Sequence, residues 1–203
     1  MSGGDTVAAS EADSLPAAFA IRTVAVIGAG GAGRGFALAC AAAGFDVVLE
    51  DVMPANLRRA QEEYADLELV NSRAQGSRGR LEVALTIEGA VRTADVVVDF
   101  VPDELESKLE IFCLVDRMAP PKTMLLTPSD ALSITDLASC TYRSDRCFAV
   151  RGGLVSGGPV RLVHPAKAGE EALNAVGAFL RALGGEVRME EDADAPMLVK
   201  NLR

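Results

Sequence analysis

Short apolar runs alternate with stretches of helical periodicity from residue 21 onward. The runs predict strands at 22–28, 46–51, 81–86, 94–101, 122–127, 146–150, 160–164 and 185–190. The intervening stretches predict helices at 31–45, 54–69, 103–119, 133–140 and 169–184. Several strands are apolar throughout, which is typical of parallel strands that are covered on both faces. The pattern therefore predicts an α/β fold with a doubly wound, mainly parallel sheet and helices on both faces.

The first 20 residues differ from the rest, because they are small, polar and acidic. They contain no basic segment followed by an apolar core and no apolar stretch of membrane-spanning length, so we expect a flexible tail rather than a signal peptide or a membrane span. Residues 21–203 are expected to form one dinucleotide-binding domain, since 203 residues with 49% hydrophobic content suffice for one sizeable core.

Net charge and cysteine usage exclude several classes of function. The formal charge is -9, which argues against nucleic acid or an anionic membrane as the main partner. Four cysteines show no C-x-x-C spacing, and with one histidine in the chain we expect no metal site. Buried free thiols in a reducing cytoplasm are expected instead for Cys40, Cys113, Cys140 and Cys147.

The segment "VAVIGAGGAGRG" contains Gly28, Gly30 and Gly33 as G-x-G-x-x-G between a strand and a helix. Gly28 would allow the tight turn, Gly30 the approach of a pyrophosphate, and Gly33 the close packing of helix and strand. Gly31 belongs to the same cofactor-binding group at the helix N-terminus, where free N–H groups favour phosphate. This fingerprint predicts a Rossmann dinucleotide-binding domain.

Asp51 ends the second predicted strand, near the position from which a carboxylate binds the adenosine ribose. A carboxylate there would repel the extra phosphate of NADP, and the nearest cations, Arg58 and Arg59, fall within the next helix. NAD is therefore the expected cofactor. FAD shares the fingerprint and stays an alternative, as does a glycine-rich turn that binds nothing.

From about residue 22 to the end, the chain resembles the NAD-binding, N-terminal domain of the 3-hydroxyacyl-CoA dehydrogenases. The segments that carry the resemblance are "VAVIGAGGAGRGFALACAAAGFDVVLED", "ADVVVDFVPDELESKLEIF", "TPSDALSIT" and "DAPMLVKNLR". The resemblance implies that Asp103 and Lys108 contact the nicotinamide half of NAD. From the residues alone, these two could equally be a solvated charge pair of little energetic value.

The resemblance also shows departures on the substrate side. Arg151 stands where the family has its catalytic histidine, and His164 matches the glutamate that polarises that histidine if one residue is inserted. Leu154 falls near the family's asparagine, and Pro128 replaces another. Asp130 replaces a substrate-contacting serine, although it could equally be the N-cap of the helix near residue 133, which we favour slightly.

Two functions follow as hypotheses. The first is an NAD-dependent oxidoreductase acting on a 3-hydroxyacyl thioester or related hydroxy acid, with His164 as the base and Arg151 holding a substrate carboxylate or CoA phosphate. The second is an NAD-binding module without dehydrogenase activity, such as a sensor, a scaffold or a subunit of a complex. The segment "RGGLVSGG" could form an anion-binding loop or a flexible surface loop.

The expected partners follow from the resemblance as well. A small-molecule substrate is expected, with acyl-CoA as a candidate. In the family, a C-terminal helical domain closes the acyl-CoA cleft and forms the dimer interface; we expect no such domain within these 203 residues. Association with a helical substrate domain, or a homo-oligomer, is therefore expected.

Overall fold

The structure is a computed structural model that describes residues 20–71, 78–154 and 158–193. Within these residues, the strands are β1 (Thr23–Ile27), β2 (Asp46–Glu50), β3 (Leu81–Ala84), β4 (Val96–Asp99), β5 (Met124–Pro128), β6 (Cys147–Gly152), β7 (Pro159–His164) and β8 (Glu186–Glu191). The α-helices are α1 (Gly31–Ala42), α2 (Pro54–Asn71), α3 (Ile87–Val91), α4 (Leu105–Met118), α5 (Ile134–Ser139) and α6 (Glu170–Ala182), and one 3-10 turn spans Ser144–Arg146.

The strands form one sheet in the order β3-β2-β1-β4-β5-β6-β7-β8. Neighbouring strands are parallel except at the β6–β7 pair, which is antiparallel. The prediction of a mainly parallel, doubly wound sheet is confirmed. The reversal at β7 was not predicted, because β7 has the same apolar character as the strands before it.

Two apolar layers cover the sheet, one on each face. The first layer contains Phe36 of α1, Leu57 of α2 and Phe179 of α6, together with the alternate strand residues that point toward them. The second layer contains Phe112 of α4 and Leu137 of α5, and it also includes α3. Because strand side chains alternate between faces, the layer that a residue joins identifies the face on which it stands.

The parallel strands β1, β2, β4, β5 and β6 end at one common edge of the sheet. Gly28 and Asp51 directly follow β1 and β2 there, and Arg151 lies near the end of β6. Ligands of open α/β sheets bind outside this carboxyl edge, where the strand order reverses between β1 and β4. The topology thus brings the predicted cofactor residues and Arg151 to the same edge.

Some predictions concern regions that the structure does not describe. Residues 1–19 of the predicted tail lie outside the described residues. The segment "DAPMLVKNLR", residues 194–203, lies outside them as well. Residues 155–157 of the glycine-rich segment also lie outside the described residues. Among the described elements, α3 and the 3-10 turn were not predicted, since each is too short to show a clear helical period.

Candidate functional site

The turn between β1 and α1 depends on two glycines for its shape. Gly28 adopts a positive φ of 94°, a conformation that favours glycine, and its N–H donates to the Glu50 carbonyl oxygen at 2.9 Å. A Cβ at Gly33 would overlap the carbonyl oxygen of Gly28. These positions therefore bring helix and strand closer than any other residue type would allow.

Gly30 and Gly31 lie over open space instead. A Cβ at either position would meet no atom within 4 Å, and both residues are exposed. The first turn of α1 has no side-chain cap and no acidic residue. Its N–H groups and the positive end of the helix dipole are therefore free to bind an anion, so this loop fits the pyrophosphate of a dinucleotide.

Asp51 is held against the glycine loop by its own carboxylate. The carboxylate accepts hydrogen bonds from the Ala29 N–H at 2.7 Å, the Met53 N–H at 2.7 Å and the Asn56 side-chain amide at 3.0 Å. Burial alone would raise the pKa of Asp51, but these hydrogen bonds lower it below its ordinary value. Asp51 is therefore an ionised acceptor beside the phosphate loop.

Sequence reasoning did not single out the apolar pair that follows this acid. Val52 is 81% exposed and Met53 57% exposed, which is unusual for large apolar side chains at the rim of a polar loop. The signal was available as two apolar residues directly after the strand-ending acid. Their position beside Asp51 suits an adenine ring, which presents an apolar face.

Glu50 is the last residue of β2 and directly precedes Asp51, but its carboxyl group is in a different environment. Its side chain is buried, and both this burial and the nearby Asp51 charge raise its pKa. The two neighbouring acids therefore have pKa values that move in opposite directions. Only Asp51 is stabilised as a carboxylate by hydrogen bonds.

Asp103 and Lys108 differ in how far their side chains are exposed. Asp103 is exposed beside the start of α4, whereas Lys108 is only 1% exposed. The Lys108 ammonium lies 2.9 Å from the Asp99 carboxylate and 2.8 Å from the Thr127 hydroxyl. The alternative of a solvated Asp103–Lys108 charge pair is therefore wrong, while a contact of either residue with NAD stays a prediction.

Arg151 and Asp130 line one cavity of about 400 Å³ at the carboxyl edge. Arg151 donates from one terminal nitrogen to the Leu132 carbonyl oxygen at 3.2 Å, and its buried Nε has no hydrogen-bond partner among the described residues. Asp130 is exposed at the rim. The structure thus brings these two predicted substrate residues together.

The helix cap that we favoured for Asp130 is wrong. Helix α5 begins at Ile134, and its N-cap is Ser133, whose hydroxyl accepts the Asp136 N–H at 3.2 Å. Asp130 lies too far before this first turn to serve it. Its side chain is therefore available to the cavity.

His164 does not lie near Arg151, so the predicted partnership of the two is wrong. Arg151 pairs with Arg161 across β6 and β7, and His164 follows three positions later. Three positions correspond to about 10 Å along a strand, and an odd number places the side chains on opposite faces. Val163 belongs to the second apolar layer and Leu162 to the first, which assigns His164 to the face of α1 and α6.

The remaining sequence expectations concern cysteines, metals and membranes. All four cysteines are free; Cys40 and Cys147 are buried, Cys140 is partly buried, and Cys113 is exposed, which corrects the expectation that all are buried. No group of potential metal ligands occurs among the described residues. In the same residues, no helix has both the length and the apolar character needed to cross a membrane.

The sheet order, the glycine loop and the acid after β2 together define a dinucleotide-binding domain of the Rossmann class. Residues 23–151, more than half of the chain, match the family described as 3-hydroxyacyl-CoA dehydrogenase, NAD binding domain. The chain belongs to this family, and its cofactor is NAD. The predicted resemblance and cofactor are confirmed.

Individual relatives are similar over part of their length. A probable 3-hydroxybutyryl-CoA dehydrogenase of Bacillus subtilis is 34% identical over 64% of this chain and 48% of its own length. An L-carnitine dehydrogenase of Pseudomonas putida is 27% identical over 84% of this chain and 55% of its own length. The chain thus spans about half the length of these curated relatives.

Solved structures share the fold. The 3-hydroxyacyl-CoA dehydrogenase of Archaeoglobus fulgidus has a TM-score of 0.70 and 27% identity, covering 88% of this chain and 59% of its own. The (S)-3-hydroxybutyryl-CoA dehydrogenase of Ralstonia eutropha has a TM-score of 0.75 and 23% identity, covering 90% and 68%. The latter likeness concerns the fold alone.

Proposed function

We propose that the chain is the cofactor-binding part of an NAD-dependent dehydrogenase that acts on a 3-hydroxyacyl thioester or a related hydroxy acid. One observation carries this proposal: the open glycine loop with its ribose acid and the Asp130–Arg151 cavity lie at the same carboxyl edge of one sheet. NAD, when bound, supplies the acceptor or donor of a hydride.

The cofactor side uses the residues around the first turn. Gly30 and Gly31 leave room for the pyrophosphate, and Asp51 accepts hydrogen bonds from the ribose hydroxyls. Exposed Asp103 is free to contact the nicotinamide half. Lys108 would first have to leave Asp99 and Thr127, so we assign it the role of fixing the ends of β4 and β5 beneath the cofactor.

The substrate side uses Arg151 and Asp130. The Arg151 guanidinium can form two parallel hydrogen bonds with a carboxylate or phosphate oxygen pair. A guanidinium stays protonated at neutral pH and cannot act as a base. We therefore assign the proton-accepting role to the Asp130 carboxylate. It would take the proton from the substrate hydroxyl group while the carbon that bears this hydroxyl gives its hydride to NAD.

The second candidate function is an NAD-binding module that does not turn over. It is favoured by one observation: the chain's single histidine lies on the opposite face from Arg151, the residue that the resemblance aligns with the family's catalytic histidine. Such a chain would retain cofactor affinity only.

The two candidates are separated by binding and turnover measured on the same protein. NADH binding is followed by its fluorescence, and oxidation is then followed at 340 nm with acetoacetyl-CoA. The dehydrogenase is supported if the parent protein both binds NADH and turns over, and if Asp130→Asn lowers the turnover by about 100-fold or more. Binding without turnover supports the module, and an absence of binding contradicts both.

The substrate cleft is proposed to require a further element. A helical substrate domain, or a second copy of this chain, would cover the Asp130–Arg151 cavity, which is open at the sheet edge. A cytoplasmic location is also proposed, because the described chain holds buried free thiols at Cys40 and Cys147.

A further inference from the structure

Three arginines stand in one row across the end of the sheet. Arg151 of β6 pairs with Arg161 of β7, and Arg161 pairs with Arg188 of β8. Directly paired residues share a face, so all three side chains project on the side of the second apolar layer. All three line the cavity of about 400 Å³ that also contains Asp130.

The positive charge of this row is only partly neutralised by carboxylates of the described residues, although Glu190 and Asp130 also line the cavity. Like charges directly opposite one another on neighbouring strands destabilise a sheet. Glu190 reaches Arg161 at 3.4 Å, but no carboxylate of the described residues pairs with Arg188, and the buried Nε of Arg151 has no hydrogen-bond partner there. The cavity therefore holds more donors than the described residues satisfy, in a chain whose net charge is -9.

We propose that the Arg151–Arg161–Arg188 row binds an oxyanion with two or more negative charges, carried by the substrate. Guanidinium groups recognise carboxylate and phosphate through paired, charge-assisted hydrogen bonds. The cavity volume suits such a charged group with part of the molecule that bears it. The ligand is a hydroxyacyl compound with an additional carboxylate chain end or with the phosphates of a CoA carrier.

The site extends the proposed function, and the assignment of the anion to the substrate rests on that proposal. Arg151 alone can orient one oxyanion, whereas Arg161 and Arg188 extend the positive row outward toward the edge strand. Arg161 and Arg188 are exposed, so they can be substituted without disturbing the apolar layers. Anion binding can thus be tested separately from cofactor binding.

Isothermal titration with citrate and with coenzyme A tests the site, at an ionic strength held constant with sodium chloride. The protein carries Gly30→Ala, which is expected to weaken phosphate binding at the glycine loop. Citrate represents a carboxylate source and coenzyme A a phosphate source. Binding of citrate alone identifies carboxylates, and binding of coenzyme A alone identifies phosphates; either result, or both, supports the site.

The variants Arg161→Gln and Arg188→Gln are each expected to weaken this binding about tenfold, the loss expected for one charge-assisted hydrogen bond. Arg92→Gln is the control, because it removes the same charge from an exposed residue at the C-terminal end of α3 that does not line the cavity. It should leave anion binding unchanged. Failure of both anions to bind, or equal affinity in all three variants, would overturn the proposal. NADH titration of the parent protein reports separately on the proposed function.

Discussion

The Lys108 ammonium and the Asp99 carboxylate form an ion pair of 2.9 Å with side-chain exposures of 1% and 2%. Burial raises the pKa of Asp99, and the charge of Lys108 opposes this rise. Lys108 also reaches Thr127 on the neighbouring strand. One lysine from α4 therefore joins the ends of β4 and β5 at the floor of the carboxyl edge.

Lys108→Met should reduce the free energy of unfolding by about 3 to 5 kcal/mol, because it leaves a buried carboxyl group without its counter-charge. The variant's Asp99 then has a folded-state pKa raised further above the unfolded one. The stability that the variant loses relative to the parent should therefore be smallest at low pH and should grow as pH rises through that folded-state pKa.

Urea unfolding between pH 4 and 8 measures this effect. The double variant Asp99→Asn/Lys108→Met should recover much of the loss and remove its pH dependence. Lys122→Met is the exposed control, since its pair with Asp95 is 60% exposed on the lysine side, and it should cost less than about 1 kcal/mol. Equal costs for Lys108→Met and Lys122→Met would contradict the structural role.

Gly30→Ala and Gly33→Ala should separate binding from folding. At Gly33 the added methyl group overlaps the Gly28 carbonyl oxygen, so we expect a loss of about 3 kcal/mol or more in stability. At Gly30 it meets only open space, so the fold persists while NADH affinity falls about tenfold or more.

Gly35→Ala serves as the control for both, because its Cβ also meets nothing and it lies inside α1. It should bind NADH like the parent and gain up to about 1 kcal/mol from helix propensity. Chemical denaturation and NADH fluorescence provide the two measurements. An unchanged NADH affinity in Gly30→Ala would show that the phosphates do not approach this glycine.

Glu50→Gln should stabilise the protein at neutral and alkaline pH, by about 1 kcal/mol. Because the folded-state pKa of Glu50 is raised, its contribution is full at low pH and is lost as pH rises through that pKa. The gain should therefore vanish near pH 4. Glu62→Gln, an exposed substitution on α2, should show no such pH-dependent gain in thermal unfolding.

His164→Gln should leave NADH affinity and any NAD-linked turnover within about twofold of the parent, because His164 and Arg151 stand on opposite faces. Steady-state kinetics and the fluorescence titration check this result. A large fall in kcat with unchanged NADH affinity would restore His164 as the base and refute the role given to Asp130.

The fold was predictable because its signals are local. Continuous β-branched runs separated by helical stretches predicted the sheet, and the glycine spacing with Asp51 predicted the nucleotide loop. Gly28 and Gly33 also have the packing roles that their positions in the motif predicted. These features depend on residues close together along the chain.

The failed pairing of His164 with Arg151 depends on strand direction and register. The sequence does not show that β7 is antiparallel to β6, and this reversal decides that Arg161, rather than His164, stands beside Arg151. The burial of Lys108 depends similarly on α4 packing over Asp99 and Thr127, which come from two different strands. Apolar and polar residues alternate within "VRLVH" and "EVRME". With the β7–β8 register known, this alternation would have been enough to predict that Arg161 and Arg188 lie on the same face of the sheet.

The antiparallel β6–β7 pair also sets a limit for evolution and for engineering. Val160, Leu162 and Val163 must stay in their apolar layers, and a slip of one residue would move every side chain of β7 to the opposite face. The face on which Arg161 stands is therefore fixed by the packing of its neighbours in β7. New specificity would come from changing the exposed side chain at this position, because its placement cannot shift without moving the apolar residues beside it.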